Sequence, residues 1–98
     1  MNKTELSAAV ARGMGIRTAE AERLLSAVLD EISGALSRGE SVKLARFGAF
    51  EVRRRKEHRA VNISNGQGYV MPERNDVVFR AGSELKEIVN REVKEHET

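Results

Sequence analysis

The chain has no cysteine, no tryptophan and a single proline among its 98 residues. The absence of cysteine excludes disulfide bridges and any chemistry that depends on a thiolate. Aromatic side chains are also few, with three phenylalanines and one tyrosine, so large side chains for a core are scarce. A lone domain of this size buries a modest fraction of its surface. The composition therefore favours a small single domain, residues 1–98, that gains stability by association.

Long hydrophobic runs are missing as well. No stretch approaches the roughly 18 apolar residues that a membrane-spanning helix requires, and no apolar run follows the first few residues, as it would in a secretory signal. Hydrophobic residues make up 40% of the chain and charged residues 33%, which is typical of a globular protein with a heavily charged surface. We expect a cytoplasmic protein without a membrane partner.

Side chains suited to catalysis are equally rare. The two histidines, His58 and His96, lie in a basic segment and in a polar tail, and neither has the neighbours that a catalytic triad or a metal site would need. The adjacent carboxylates Asp30 and Glu31 lie on a predicted helix, where neighbouring side chains diverge. The sequence predicts no enzyme, no catalytic residue, no cofactor and no metal ion.

Positive charge is concentrated in one segment. The net charge is only +2, but residues 51–59 carry five positive and two negative charges. A field of one sign in one segment indicates a polyanionic partner, and a solvated charged strand is the alternative interpretation.

The first forty residues show helical periodicity. Asn2 followed by Glu5 is typical of a capped helix start, and apolar residues recur at helical spacing as far as Met14. Thr18 is predicted to cap a second helix, whose apolar stripe continues until Gly39. The spacing predicts a helical hairpin as a base over residues 1–40.

The pattern then alternates, as strands do. Ser41–Ala45 and Phe50–Arg53 are predicted to form a hairpin whose tight turn requires Gly48. The second strand continues through the basic cluster to a turn at Asn65-Gly66, a strong hairpin signal, and a strand returns from Gly68 until Pro72 interrupts it. After a further strand at residues 77–79, a last helix is predicted over about 83–94, with Leu85, Ile88, Val89 and Val93 as its buried face. The fold class is α+β, with a sheet and arm over about 41–81, the arm itself spanning about 53–76.

The predicted arm contains too few large apolar side chains to form a core, so it should project into solvent. A basic β-ribbon fits a nucleic-acid groove, and architectural proteins insert apolar side chains between base pairs from the minor groove. Ile63 is placed near the tip, where such a wedge would lie. The alternative is that Val61 and Ile63 simply favour strand conformation.

Three motifs strengthen the first interpretation: "NKTEL" at residues 2–6, "VKLARFGAFEVRRR" at 42–55 and "VVFRAGSELK" at 77–86. Together they resemble the bacterial HU/integration host factor family, over roughly residues 1–93. The resemblance implies an intertwined dimer with a helical base, a three-stranded antiparallel sheet and a β-ribbon arm from each chain that lies in the minor groove of DNA and bends it.

The resemblance also implies roles for individual residues. The DNA-binding arm would comprise Arg53, Arg54, Arg55, Lys56, His58, Arg59, Asn62 and Asn65. Ile63 would be the intercalating wedge. Phosphate contacts on the body would come from Lys3, Arg46, Arg80 and Lys86, and the aromatic dimer core would comprise Phe47, Phe50 and Phe79.

The sequence departs from the family pattern at several of these positions. Val61 and Ile63 replace the usual arginine and proline of the tip, and Arg46 replaces a usual glycine. Two hypotheses follow. One is an architectural, histone-like DNA-binding protein, largely sequence-independent, nucleoid-associated, and favouring bent, nicked or flexible double-stranded DNA. The other is a weakly DNA-binding dimerisation or regulatory subunit that pairs with a paralogue. We expect a homodimer, with a heterodimer as the alternative, and RNA is a further candidate ligand.

Overall fold

The structure, a computed structural model, describes residues 1–91. Its elements follow the predicted order of helical hairpin, strands and final helix. They are α1 (Lys3–Met14), α2 (Thr18–Ser37), β1 (Val42–Leu44), β2 (Gly48–Arg55), β3 (His58–Val61), β4 (Gly68–Met71), β5 (Arg74–Ala81) and α3 (Ser83–Val89). The predicted extension of the last helix to about residue 94, with Val93 on its buried face, lies outside the described residues.

The helical hairpin begins as predicted. The Asn2 side-chain oxygen accepts a hydrogen bond from the Glu5 backbone N–H at 2.8 Å, and α1 ends at Gly15, whose φ of 67° is left-handed. The prediction that Thr18 caps α2 was wrong. Arg17 holds the cap position with extended backbone and no side-chain hydrogen bond, and its carbonyl already accepts from Ala21 N–H. Thr18 is therefore the first residue inside the helix.

Five strands form two antiparallel sheets, which contain three ladders. The strand order is β1-β2-β5 in one sheet, and β3 pairs with β4 in the other. β2 pairs with β5 along its whole length, from Gly48 opposite Ala81 to Arg55 opposite Arg74. β1 covers only the first three residues of β2, so from Glu51 onward the structure is a two-stranded ribbon.

The ribbon is interrupted once along its length. The pairing of Arg55 with Arg74 and of His58 with Met71 keeps the same register on both sides of the gap, which leaves residues 56–57 facing residues 72–73. The second strand continues through the arginines as far as Arg55, as predicted, and pairing resumes at His58. Pro72 was correctly predicted to interrupt the ladder, because it has no N–H to donate.

Gly48 has a different role from the predicted one. It does not form the β1–β2 turn but begins β2, and a Cβ atom there would lie 2.5 Å from the Arg80 carbonyl oxygen and 2.7 Å from the Phe79 ring. The preceding Phe47 carbonyl accepts a hydrogen bond from Gly82 N–H at 2.8 Å. Two motifs that are distant in sequence, "RFGAF" and "FRAG", therefore pack directly against each other.

The β1–β2 turn itself places a non-glycine residue in left-handed backbone. Phe47 N–H donates to the Leu44 carbonyl at 3.0 Å, which closes a four-residue turn. Arg46 lies within it at φ 69° and is the one non-glycine residue with positive φ among residues 1–91. Such a conformation costs an L-residue on the order of 1–2 kcal/mol.

We therefore expect Arg46→Gly to raise the free energy of unfolding by about 0.5–1 kcal/mol, because the relieved strain exceeds the extra backbone entropy of glycine. Urea denaturation followed by circular dichroism measures the change. Arg46→Ala is the control, since it removes the same side chain but keeps the backbone strain. An equal gain in both variants would show that the side chain, and not the backbone, is responsible.

The described part of the chain has almost no core of its own. Among residues 1–91 the buried residues are Ser7, Ala11 and Ala21. The accessible surface is 8268 Å², compared with about 5,600 Å² for a compact folded chain of this mass. Large apolar side chains on the helices and the three-stranded sheet remain exposed: Leu6, Met14, Leu24, Val28, Leu29, Leu44, Phe47, Val77, Phe79, Ile88 and Val89.

Candidate nucleic-acid interface

Alternation along the β2–β5 ladder sorts its side chains onto two faces. One face carries the aromatic and β-branched residues Phe50, Val52, Val77 and Phe79, because opposite partners in register project to the same side. The other face carries arginines from both strands, and Lys43 joins it through its register with Ala49. We call this second surface the cationic face; it consists of Lys43, Arg53, Arg55, Arg74 and Arg80.

Carboxylates occupy part of the cationic face. Asp76 accepts from Arg55 Nε at 2.9 Å and from Arg74 Nε at 3.0 Å. Arg80 Nε lies 3.7 Å from Glu51. Within residues 1–91, Lys43 and Arg53 form no ion pair. These two cations have the fewest competitors for an external anion.

Arg54 lies on the opposite, apolar face, next in the row after Val52. Its Nε donates to Glu73 at 2.7 Å. The five cations of the basic cluster therefore do not point one way, as expected for adjacent strand residues.

Asp76 stays ionised at neutral pH. The hydrogen bond from Arg74, reinforced by Arg55, holds the pKa of its carboxyl below the ordinary value of 3.8. A lowered pKa means that the interaction is fully present above the ordinary value and is lost only as the pH falls through the lowered one. The two ion pairs therefore persist throughout the neutral range.

The outer part of the arm places its charges differently. In the β3–β4 ladder, Arg59 shares a face with Val61 and Val70, whereas His58 lies on the other face with Met71. The His58 Nδ1 atom is 3.2 Å from the Lys56 carbonyl oxygen, and Lys56 itself lies in the interruption between the two ladders.

The tip is a longer loop than a two-residue Asn-Gly turn. Asn62 N–H donates to the Gln67 carbonyl at 2.8 Å, and Gly66 N–H donates to the Asn62 carbonyl at 2.8 Å. Only Gly66 has a positive φ, of 70°, whereas the turn that Asn-Gly usually makes needs positive φ at both residues. The tip therefore has four residues, 63–66, between its closing partners.

Both asparagines of the tip use their side-chain oxygens within the loop. Asn62 Oδ1 accepts from Ser64 N–H, and Asn65 Oδ1 accepts from Gln67 N–H, each at 2.9 Å. Their amide nitrogens remain as donors beside Ile63, the one large apolar side chain of residues 63–66. Ile63, between them in sequence, is fully exposed at 100%. An exposed Ile held by a hydrogen-bonded loop has the shape of a wedge.

The residues predicted to contact phosphates on the body, Lys3, Arg46, Arg80 and Lys86, do not form one cluster. Arg46 and Arg80 line the same shallow groove, together with Lys43. Lys3 begins α1 and lines a different groove with Glu22 of α2, and Lys86 lies in α3.

The three phenylalanines do lie together. Phe79 has its ring centroid 5.5 Å from Phe47 and 4.9 Å from Phe50. Phe47 and Phe79 are nevertheless 46% and 41% exposed. The aromatic cluster is thus assembled within one chain but not covered by it.

Sequence reasoning missed Lys43 and Arg74 as members of the cationic face. It also missed Asp76 as the carboxylate that pairs with Arg55 and Arg74, and Glu73 as the partner of Arg54. The alternation of polar and apolar residues in "SVKLA" could have placed Lys43 on the face opposite to Val42 and Leu44. Arg74 follows Pro72 and Glu73, where no strand was predicted, so its position opposite Arg55 depends on the register of β5.

Two negative findings concern the described residues. Between residues 1 and 91, no group of three or more His, Cys, Asp or Glu side chains is arranged to hold a metal ion. In the same range, no helix has both the length and the apolarity to cross a bilayer.

The chain combines a helical hairpin with a three-stranded sheet, and the sheet extends into a basic β-ribbon. This architecture defines a class of proteins with a protruding β-arm. Comparisons with known proteins agree. A family described as "Bacterial DNA-binding protein" matches residues 1–90. The DNA-binding protein HU-alpha of Pseudomonas aeruginosa is 41% identical over 90 residues, covering 92% of this chain and all of that protein. Integration host factor subunit alpha of Paramagnetospirillum magneticum is 39% identical, covering 92% and 85%.

Solved structures lead to the same family. An Anabaena HU–DNA cocrystal structure superimposes with a TM-score of 0.84 at 35% identity, covering 93% of this chain and 99% of that one. An HU mutant from Thermotoga maritima has a TM-score of 0.69 at 31% identity, covering 91% and 99%. The chain belongs to the bacterial DNA-binding protein family that includes HU and integration host factor. The predicted family and α+β fold are confirmed.

Proposed function

We propose that this chain is an architectural DNA-binding protein whose paired β-arms bind the minor groove and bend the duplex, largely independently of sequence. The observation that carries the proposal is the combination, on one ribbon, of a cationic face and a fully exposed Ile63 at the tip. Phosphate attraction supplies affinity, and an inserted apolar side chain supplies the bend. The relatives named as HU and integration host factor favour this function over that of a weakly binding dimerisation subunit.

The active form is proposed to be a dimer. Two buried alanines cannot stabilise a chain of this size, because folding must overcome a conformational entropy of about 1–2 kcal/mol per residue from the backbone alone. The half-exposed aromatic cluster and the exposed face of α2, with Leu24 and Val28, offer the missing apolar contacts. A second copy of this chain would cover them, and it would also supply the second arm.

Duplex phosphates are proposed to lie along the cationic face. Arg53 is the central contact, since it projects from this face and is not held by a carboxylate within residues 1–91. Arg46, Lys43 and Arg80 extend the surface onto the body. Arg59 continues it along the outer arm, and the amide donors of Asn62 and Asn65 face the groove acceptors of the bases. Lys3 and Lys86 are proposed to contact flanking phosphates.

In this proposal, selectivity among DNA sites comes from the deformability of the duplex. The minor groove distinguishes little beyond A·T from G·C pairs, so DNA that bends at low cost is bound best. Nicked, gapped and flexible duplexes fit this requirement. Association with the nucleoid in the cytoplasm follows as part of the proposal. RNA is a secondary ligand, because phosphate attraction does not distinguish the two acids.

Replacing Arg53 with glutamine is expected to weaken DNA binding uniformly across sequences and to reduce the salt dependence. Each phosphate contact contributes about 0.9 to the slope of log affinity against log salt, so the slope of the dimer should fall by about 2. Fluorescence anisotropy of a labelled duplex at several KCl concentrations measures both effects.

Arg54→Gln is the matched control, since it removes the same charge from the neighbouring residue on the opposite face. Its slope should stay close to that of the wild type. Equal losses in both variants would contradict the assignment of the cationic face, and a wild-type slope near zero would contradict phosphate binding altogether.

A further inference from the structure

One carboxylate lies in the middle of the cationic face. Asp76 is the register partner of Arg53 and accepts ion pairs from Arg55 and Arg74 at 2.9 and 3.0 Å. Each arginine uses its Nε atom and binds a different carboxylate oxygen. Asp76 is partly buried, with 29% of its side chain exposed, whereas the side chains of Arg55 and Arg74 are 53% and 40% exposed. The carboxylate is therefore enclosed by the cations to which a phosphate would bind.

Glu73 offers a comparison within the same ribbon. It accepts a hydrogen bond from Arg54 at 2.7 Å, and Arg54 projects from the face opposite to Arg53 and Arg55. Both carboxylates neutralise arginines of the basic cluster. Of these two carboxylates, Asp76 is the one that does so on the surface proposed to meet DNA.

We infer that Asp76 limits the affinity of the arm for DNA. Its carboxylate competes with duplex phosphates for Arg55 and Arg74, so the base of the arm binds DNA more weakly. The inference rests on the proposed function. A phosphate that approaches either guanidinium must share it with the carboxylate and also approach a charge of its own sign. The three side chains together carry a charge of +1, so this segment attracts a polyanion far less than its arginine content indicates.

The ion pairs also keep the two arginines ordered, and this ordering would strengthen DNA binding instead of weakening it. The geometry of the β2–β5 ladder indicates that competition with phosphate outweighs this ordering. Arg55 and Arg74 lie directly opposite each other, and each is already restrained at Cα by the β2–β5 ladder. An asparagine at position 76 removes the charge but retains an amide oxygen that can accept from one of them. Asp76→Asn therefore removes the charge of the carboxylate, while one of the two hydrogen bonds that order the arginines can remain.

The experiment compares DNA binding by wild type, Asp76→Asn and Glu73→Gln, using full-length chains and a fluorescein-labelled intact duplex. Both variants gain one unit of positive charge per chain. We expect the dimer of Asp76→Asn to bind about tenfold more tightly, as estimated for removing a unit charge within about 7 Å of a phosphate in each subunit. Its salt slope should steepen by up to about 2, because each subunit then neutralises one more phosphate.

Glu73→Gln should change the affinity by less than about twofold, since screening by water and salt weakens an exposed charge on the far face. Equal tightening in both variants would overturn the inference in favour of a general charge effect. Weaker binding by Asp76→Asn would overturn it in favour of an ordering role. If wild type binds DNA and Asp76→Asn matches it, only this inference fails, whereas an absence of binding in all three proteins refutes the proposed function itself. Circular dichroism verifies that each variant is folded.

Discussion

An Ile63→Ala variant is expected to bind DNA with nearly the affinity of the wild type while bending it far less. Burying an isoleucine side chain contributes about 1.5–3 kcal/mol, and unstacking a base step costs a few kcal/mol. The two terms nearly cancel in the affinity, but the bend depends entirely on the wedge. Because Ile63 is fully exposed in the free chain, its truncation should leave the folding stability unchanged.

Energy transfer between dyes at the two ends of a short duplex measures the bend. Wild-type protein should raise the transfer efficiency, and the variant should leave it near that of free DNA at saturating protein. Val70→Ala is the control, since it truncates another exposed β-branched side chain of the arm, 53% exposed, away from the tip. Full bending by Ile63→Ala would show that the tip does not intercalate.

The second large effect is expected from Phe79→Ala. Phe79 lies between Phe47 and Phe50, 5.5 and 4.9 Å from their ring centroids, and the proposed dimer would bury the part of the ring that one chain leaves exposed. Truncating a fully buried Phe typically costs 3–5 kcal/mol. We expect a loss of this size in the free energy of unfolding, together with dissociation of the dimer at micromolar concentrations.

Sedimentation equilibrium and urea denaturation at several protein concentrations measure both effects. Tyr69→Ala, which truncates a 47% exposed aromatic in the arm, should change neither the association state nor the stability by more than about 1 kcal/mol. A Phe79→Ala protein that is still dimeric and loses only about 1 kcal/mol would place the dimer interface elsewhere. A wild type whose unfolding midpoint does not depend on concentration would argue against an obligate dimer.

The elements that depend on local chemistry were predictable from the sequence. Asn2 and Glu5 are three residues apart, so the capping hydrogen bond forms within one helical turn. The left-handed Gly15 and Gly39 end the two helices where expected, because glycine adopts that backbone without a steric penalty. The interruption at Pro72 follows in the same way from its missing N–H.

The errors arose where two local signals competed or a distant segment intervened. Arg17 takes the cap position although Thr18 has the preferred side chain. Gly48 appeared to be a turn residue, but β5 packs so closely against it that a Cβ atom there would clash with Arg80. The Asn65-Gly66 pair belongs to a wider loop, since the closing hydrogen bond joins Asn62 to Gln67.

The sequence by itself determined the helical hairpin, the strands, the isoleucine near the arm tip and the basic segment, because each depends on residues within a few positions of one another. Only the tertiary structure decided which charges share a face. The register of β2 with β5 places Arg74 and Asp76 beside Arg55 and turns Arg54 toward the opposite side. A shift of one residue would exchange the faces of one strand, so the charge that DNA would meet is a property of strand pairing and not of composition.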